Sequence, residues 1–109
     1  MASSIIREVM TMPYLIQLAD KPDSAPLRAA VRNAHLDYLD ANKAKLLAAG
    51  ALIEDDGSGG RGSVYIVDTD NRLEAERFLA GDPFQQAGLF ATVTITRWRK
   101  AFFNRERLV

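Results

Sequence analysis

The apolar positions of the chain change period several times, and each change predicts an element. Pro13-Tyr-Leu-Ile-Gln-Leu-Ala19 is a short apolar run rich in β-formers, which predicts a buried strand. Asp20 to Pro26 holds Asp, Pro and Ser and reads as a loop, with Asp23 or Ser24 as helix N-cap. From Leu27 to Ala49 the spacing becomes helical, with Asn33, Asp37, Asp40 and Ala44 on the wet side. Gly50 then stands where a left-handed C′ residue would end the helix.

Ala51-Leu-Ile53 predicts a short strand, Glu54 to Gly62 a loop, and Ser63-Val-Tyr-Ile-Val67 the second arm of a hairpin. Asn71 opens a helix that runs to about Ala80, and Gly81 closes it. Asp82 to Gly88 is a compact turn or short helix. The last strand, Leu89 to Trp98, alternates Ala91, Val93 and Ile95 against Thr92, Thr94 and Thr96. The order β-α-β-β-α-β predicts an α+β domain of the ferredoxin-like kind. Helices would cover one face of its sheet, and a second subunit would cover the other.

One row of the long helix breaks its own pattern. Arg28, Arg32 and His35 stand at i, i+4 and i+7, and the row continues through Leu39, Asn42 and Leu46. A face packed wholly on a core would be apolar throughout. The first half of this face is therefore expected to look into a polar pocket. Two arginines beside a histidine lower its proton affinity unless an acid or an anion offsets them. Such a cluster binds an anionic ligand or is paired with carboxylates. Asp82 is a candidate partner, but Asp82-Pro83-Phe84-Gln85 also fits an N-cap with Pro at N1 and Gln at N3. One carboxylate can serve both roles.

Composition narrows the chemistry. With 109 residues the chain makes one domain, with 14 basic and 14 acidic side chains in balance. That balance gives no general field for nucleic acid or a membrane surface. The chain has no cysteine, so disulfides and thiolate chemistry are excluded, and its one histidine makes a metal centre a poor fit. No apolar run approaches the ~20 residues of a membrane span, and Met1 to Met10 do not read as a signal peptide, so the default location is cytoplasmic. Gly57 to Gly62 matches G-x-G-x-x-G, but it opens a strand where a dinucleotide site needs a helix. Glu54, Asp55 and Asp56 read as a solvated acidic turn. The basic and aromatic tail after Arg97, with Trp98, Phe102 and Phe103, reads as a terminal anchor in the core or a dimer.

Val31-Arg32-Asn-Ala-His35-Leu-Asp-Tyr-Leu39, Leu46-Leu-Ala-Ala-Gly50, Gly62-Ser63 and Asp82-Pro83-Phe84 with Ala87-Gly88-Leu89 together resemble the YciI-like (YCII-related) proteins. The likeness runs from about Met12 to Phe102. It implies a ferredoxin-like α+β fold that pairs into a dimeric α+β barrel. The domain would span residues 12–103, with 1–11 as an extension and 104–109 as a tail. It also implies a small pocket with His35 and Asp82 as a catalytic dyad, and Arg28, Arg32 and Ser63 as ligand-binding residues. The expected activity is a metal- and cofactor-independent acid–base reaction, lyase or isomerase in type, on a small polar or anionic molecule. The alternative is a dimeric module that binds such a molecule without turning it over. The segment after Gly50, the first eleven residues and the tail after Phe103 depart from the family pattern, so no substrate is carried over.

Overall fold

The computed structural model describes residues 12–109. The expected extension 1–11 lies outside the described residues. The elements are β1 (Tyr14–Asp20), α1 (Ala25–Ala41), a 3-10 turn (Lys43–Lys45), β2 (Leu46–Ile53), β3 (Gly60–Val67), α2 (Arg72–Ala80), α3 (Pro83–Gln86), β4 (Phe90–Arg97), β5 (Phe102–Phe103) and β6 (Glu106–Arg107). The first four long strands form one antiparallel sheet in the order β2-β3-β1-β4. This is the ferredoxin-like arrangement that the element order predicted. β5 and β6 make a separate hairpin, which carries ordered chain past Phe103 into the expected tail.

Alternation along the central strands decides which face is covered. Tyr14, Ile16 and Leu18 of β1 and Ser63, Tyr65 and Val67 of β3 are buried on the helix side. Ala75, Phe78 and Leu79 from α2, with Phe84 and Leu89, complete that core. The opposite face carries Leu15, Val64 and Ile66, which are half-buried, and the exposed threonines Thr92, Thr94 and Thr96. No described helix covers it.

The long helix and the strand after it depart most from their predicted extents. The helix ends at Ala41, not Ala49, and Leu46 to Ile53 is a strand that starts five residues before the predicted one. Asn42 ends the helix through backbone contacts, its N–H meeting the Tyr38 and Leu39 carbonyls at 3.1 and 3.2 Å. Leu46-Leu-Ala-Ala-Gly-Ala has helix propensity, but β3 offers a full ladder of partners, and tertiary pairing outweighs propensity. Gly50 is therefore a mid-strand residue opposite Val64 rather than a helix stop. Asn42 and Leu46 accordingly leave the helical row, which ends at Leu39.

Two glycines separate these readings experimentally. A Cβ on Gly62 would collide with the Leu18 carbonyl on the neighbouring strand β1. A Cβ on Gly50 would meet nothing within 4 Å. Gly62→Ala is expected to cost about 1–3 kcal/mol in urea denaturation. Gly50→Ala is expected to be neutral or stabilising by up to about 1 kcal/mol. A strong loss at Gly50 would restore the helix-stop reading.

Candidate functional site

The row Arg28, Arg32, His35 does face a cavity. Its volume is about 230 Å³, and Ser63, Tyr65 and Phe84 form much of the rest of its wall. Ala49, Gly50 and Ala51 of β2 close one side with little more than backbone. A larger hollow of about 380 Å³ lies between the end of α1 and the start of α2. Its charged groups, Lys45, Asp68, Glu74 and Arg77, are exposed, and it is lined by no buried titratable acid or base. The smaller cavity is the one with chemistry.

Behind its wall, against His35 and Tyr65, sits Asp82, with no exposed surface. The residue caps α3: its Oδ1 accepts the Phe84 N–H at 3.0 Å, and Pro83 occupies the first helical position. The same oxygen lies 2.8 Å from His35 Nδ1, and Oδ2 accepts a short hydrogen bond from the Tyr65 hydroxyl. The cap and the histidine pairing, open alternatives in the sequence, thus coexist on one carboxylate. Because Asp82 accepts, Nδ1 carries the proton, an assignment made from the hydrogen-bond network. Nε2 of the neutral ring is then an acceptor. It has no partner among the described residues, and no buried side-chain nitrogen or oxygen is left unsatisfied there. Nε2 therefore opens on the cavity.

Aromatic packing fixes the ring. The Phe84 ring stacks on it at 3.9 Å between centroids and 13° between planes. The Tyr65 ring lies 6.0 Å away. The Arg28 guanidinium lies 4.8 Å from the Phe84 ring centre, so one phenylalanine supports both the histidine and the arginine.

The two arginines differ. Arg28 is held in a fork by Asp20, Nε to Oδ2 at 2.7 Å and Nη2 to Oδ1 at 3.2 Å. Nη2 also reaches the Gly62 carbonyl at 2.9 Å and the Ser63 hydroxyl at 3.1 Å. Its charge is thus largely spent inside the chain, and it braces α1 against β1 and β3. Arg32 is exposed at the rim and makes no hydrogen bond or ion pair among the described residues. It is the cation free to meet a ligand.

Tyr65 is almost wholly buried. Burial, then the hydrogen bond to Asp82 and the Asp82 charge, pushes its phenol far above the ordinary range, against a smaller pull from the Ser63 hydrogen bond and Arg28. Tyr38 is also raised, first by burial and then by the Asp82 charge, and its hydroxyl donates to the Phe78 carbonyl at 2.7 Å. The sequence reading missed Asp20, Tyr65 and Phe84 as site residues. Tyr65 was accessible through strand alternation, since it lies two residues after Ser63 and shares its face. Asp20 carried no signal beyond its place at the start of the loop after the first strand. Among the described residues, no three His, Cys, Asp or Glu side chains converge as a metal site, and no helix is long and apolar enough to cross a membrane.

The model of the YCII-related domain matches residues 12–99. The chain belongs to the YCII-related domain family. An uncharacterized protein of Haemophilus influenzae is 35% identical over 98 residues, covering 84% of this chain and all of the relative. Protein YciI of Escherichia coli O6:H1 is 33% identical over 98 residues, with the same coverage. Among solved structures, 5-chloro-2-hydroxyhydroquinone dehydrochlorinase (TftG) of Burkholderia phenoliruptrix AC1100, in complex with 2,5-dihydroxybenzoquinone, superposes with a TM-score of 0.74. It is 35% identical, and the match covers 81% of this chain and 94% of that one. This YCII-related chain thus shares its fold with an enzyme that holds a small ring compound.

The tyrosine shift has a sign that can be checked in alkali. Above about pH 10 the unfolded chain releases the Tyr65 proton, whereas the folded chain keeps it. The folded state then binds more protons, so its stability falls as pH rises. The expected slope from Tyr65 is about 1.4 kcal/mol per pH unit. Denaturation curves from pH 9 upward should show it, and Tyr65→Phe should flatten it. Tyr38, only half-buried, adds less.

Proposed function

We propose that the protein is a small-molecule enzyme in which His35 Nε2 acts as a general base, of lyase or isomerase type. The observation that carries this reading is the buried imidazole–carboxylate contact, with the free ring nitrogen opening on a cavity. A cavity of about 230 Å³ lies below the roughly 300–1,000 Å³ of drug-sized sites, and it suits a single small ring or a short acid. The likeness to a dehydrochlorinase that holds a dihydroxybenzoquinone supports an oxygen-rich ring.

In the proposed step, Nε2 takes a proton from a carbon or oxygen of the substrate. The electron pair of the broken bond moves toward a substrate carbonyl or along the ring. It ends either in expulsion of a leaving group with its bonding pair, or in reprotonation at a second atom. Asp82 fixes the tautomer that leaves Nε2 unprotonated and then faces the imidazolium as its counter-charge. Arg32 attracts an anionic oxygen at the rim. Arg28 and Ser63, occupied with each other and with Asp20, shape the wall more than they clamp the substrate.

The proposed assembly is a homodimer. The helix-free sheet face, with Leu15, Val64, Ile66 and the 41% exposed Leu52, is apolar enough at its centre to require cover. Ile66→Lys on that face should shift the sedimenting species from dimer to monomer in analytical ultracentrifugation. An unchanged dimer would move the interface elsewhere.

The catalytic reading is tested with substituted hydroquinones and quinones, followed by absorbance and by chloride release for the chlorinated ones. Loss of the base in His35→Gln is expected to lower the rate by about 10²–10⁴-fold with circular dichroism unchanged. Turnover at the native rate in that variant would sink the base assignment. Ligand-induced shifts of the His35 signals without turnover of any compound would leave a binding module in its place.

A further inference from the structure

Tyr65 spends a buried hydroxyl where a phenylalanine would fill nearly the same space. Its ring already packs edge-on against Phe78 at 6.0 Å. The phenol donates to Asp82 Oδ2, whereas His35 and the Phe84 amide share Oδ1. Behind Tyr65, the Ser63 hydroxyl accepts from Arg28 Nη2 at 3.1 Å. A row of hydrogen bonds therefore runs from Tyr65 through Asp82 to His35, and ends at the open Nε2. Asp20 separately anchors Arg28 through their ion pair.

We propose that Tyr65 is a positioning residue that sets the basicity of His35 through Asp82. This rests on the reading of His35 as a base. A hydrogen bond donated to one carboxylate oxygen draws negative charge toward that oxygen. The imidazole at Oδ1 then faces a weaker counter-charge than a bare aspartate would give it. The ring is held in its tautomer, while the pull of the carboxylate on a second proton, which would occupy the base, is weakened. Burial and the Asp82 charge keep the phenol protonated through neutral pH, so it donates under all ordinary conditions. The other charged or titratable groups around the ring are Arg28, Arg32 and Tyr38 on its own helix. Arg28 is neutralised by Asp20, Arg32 is solvated at the rim, and the Tyr38 hydroxyl is committed to the Phe78 carbonyl. Of the groups that touch Asp82, Tyr65 is the one that can change its charge distribution without disturbing the cap.

The chain has one histidine, so its ring signals need no assignment. The ¹⁵N and ¹³C signals of that ring are followed against pH in the native protein, in Tyr65→Phe and in Asp82→Asn. Removing the phenol leaves more charge on Oδ1, and the midpoint in Tyr65→Phe should rise by on the order of half a pH unit. Removing the carboxylate charge in Asp82→Asn should lower it. A Tyr65→Phe midpoint that stays still or falls, while Asp82→Asn lowers it, overturns the role of Tyr65 and leaves the histidine–aspartate pair intact. If neither variant moves the midpoint, the pairing itself is overturned along with it. Should Tyr65→Phe fail to fold, the chain is made with 3-fluorotyrosine at its three tyrosines. The fluorinated phenol is a stronger donor and should lower the midpoint, and an unchanged midpoint overturns the proposal.

Discussion

A carboxylate with no exposed surface is expensive unless several donors surround it, and Asp82 has three, from three different parts of the chain. Phe84 donates from the first turn of α3, His35 from the middle of α1, and Tyr65 from the centre of β3. Each donor loses its own buried partner if the others move. One carboxylate therefore ties α1 and α3 to the sheet. The Asp-Pro-Phe turn makes this possible locally, because the cap orients the carboxylate before any long-range contact forms. The site is consequently built into the fold: what orients the histidine also docks the helix that carries it.

A second set of contacts holds the other half of that helix. The Asp20 fork on Arg28 joins the end of β1 to the first turns of α1, and the arginine continues to the Gly62 carbonyl and Ser63 on β3. Phe84 lies beneath both Arg28 and His35. Among the buried residues of α1, His35 stands alone, and Leu27 and Leu36 are exposed. Val31, Tyr38 and Leu39 pack half-buried on the core, and the polar and aromatic contacts of Arg28 and His35 complete the attachment, which is why the apolar pattern of the helix gave way at Arg28.

That break was the most legible feature of the sequence. The strand–helix order, the ferredoxin-like topology and the cavity-facing row could be read because each depends on local period and on turn residues. The pairing of His35 with Asp82 could be posed but not decided, since 47 residues separate them and only the fold sets their distance. The error lay at Leu46-Leu-Ala-Ala-Gly50, where a run of good helix formers ended in glycine. Local rules favoured a helix with a stop, and the ladder with β3 overrode them. Asp20 and Tyr65 were missed for a related reason: an aspartate ending a strand and a tyrosine within one are ordinary until a partner is placed opposite.

The misread segment has its own effect on the cavity. Because α1 stops at Ala41, the wall facing the histidine is a strand whose cavity-lining residues are Ala49, Gly50 and Ala51. The titratable groups beside the cavity stand on α1, on β3 and at the cap of α3, and none stands on this wall. The space available to a bound molecule and the chemistry acting on it are thus governed by different stretches of chain. A longer side chain at position 49 or 51 would narrow the chamber without touching a charge. Members of a lineage built this way can diverge in the girth of what they accept while their reactive core stays constant.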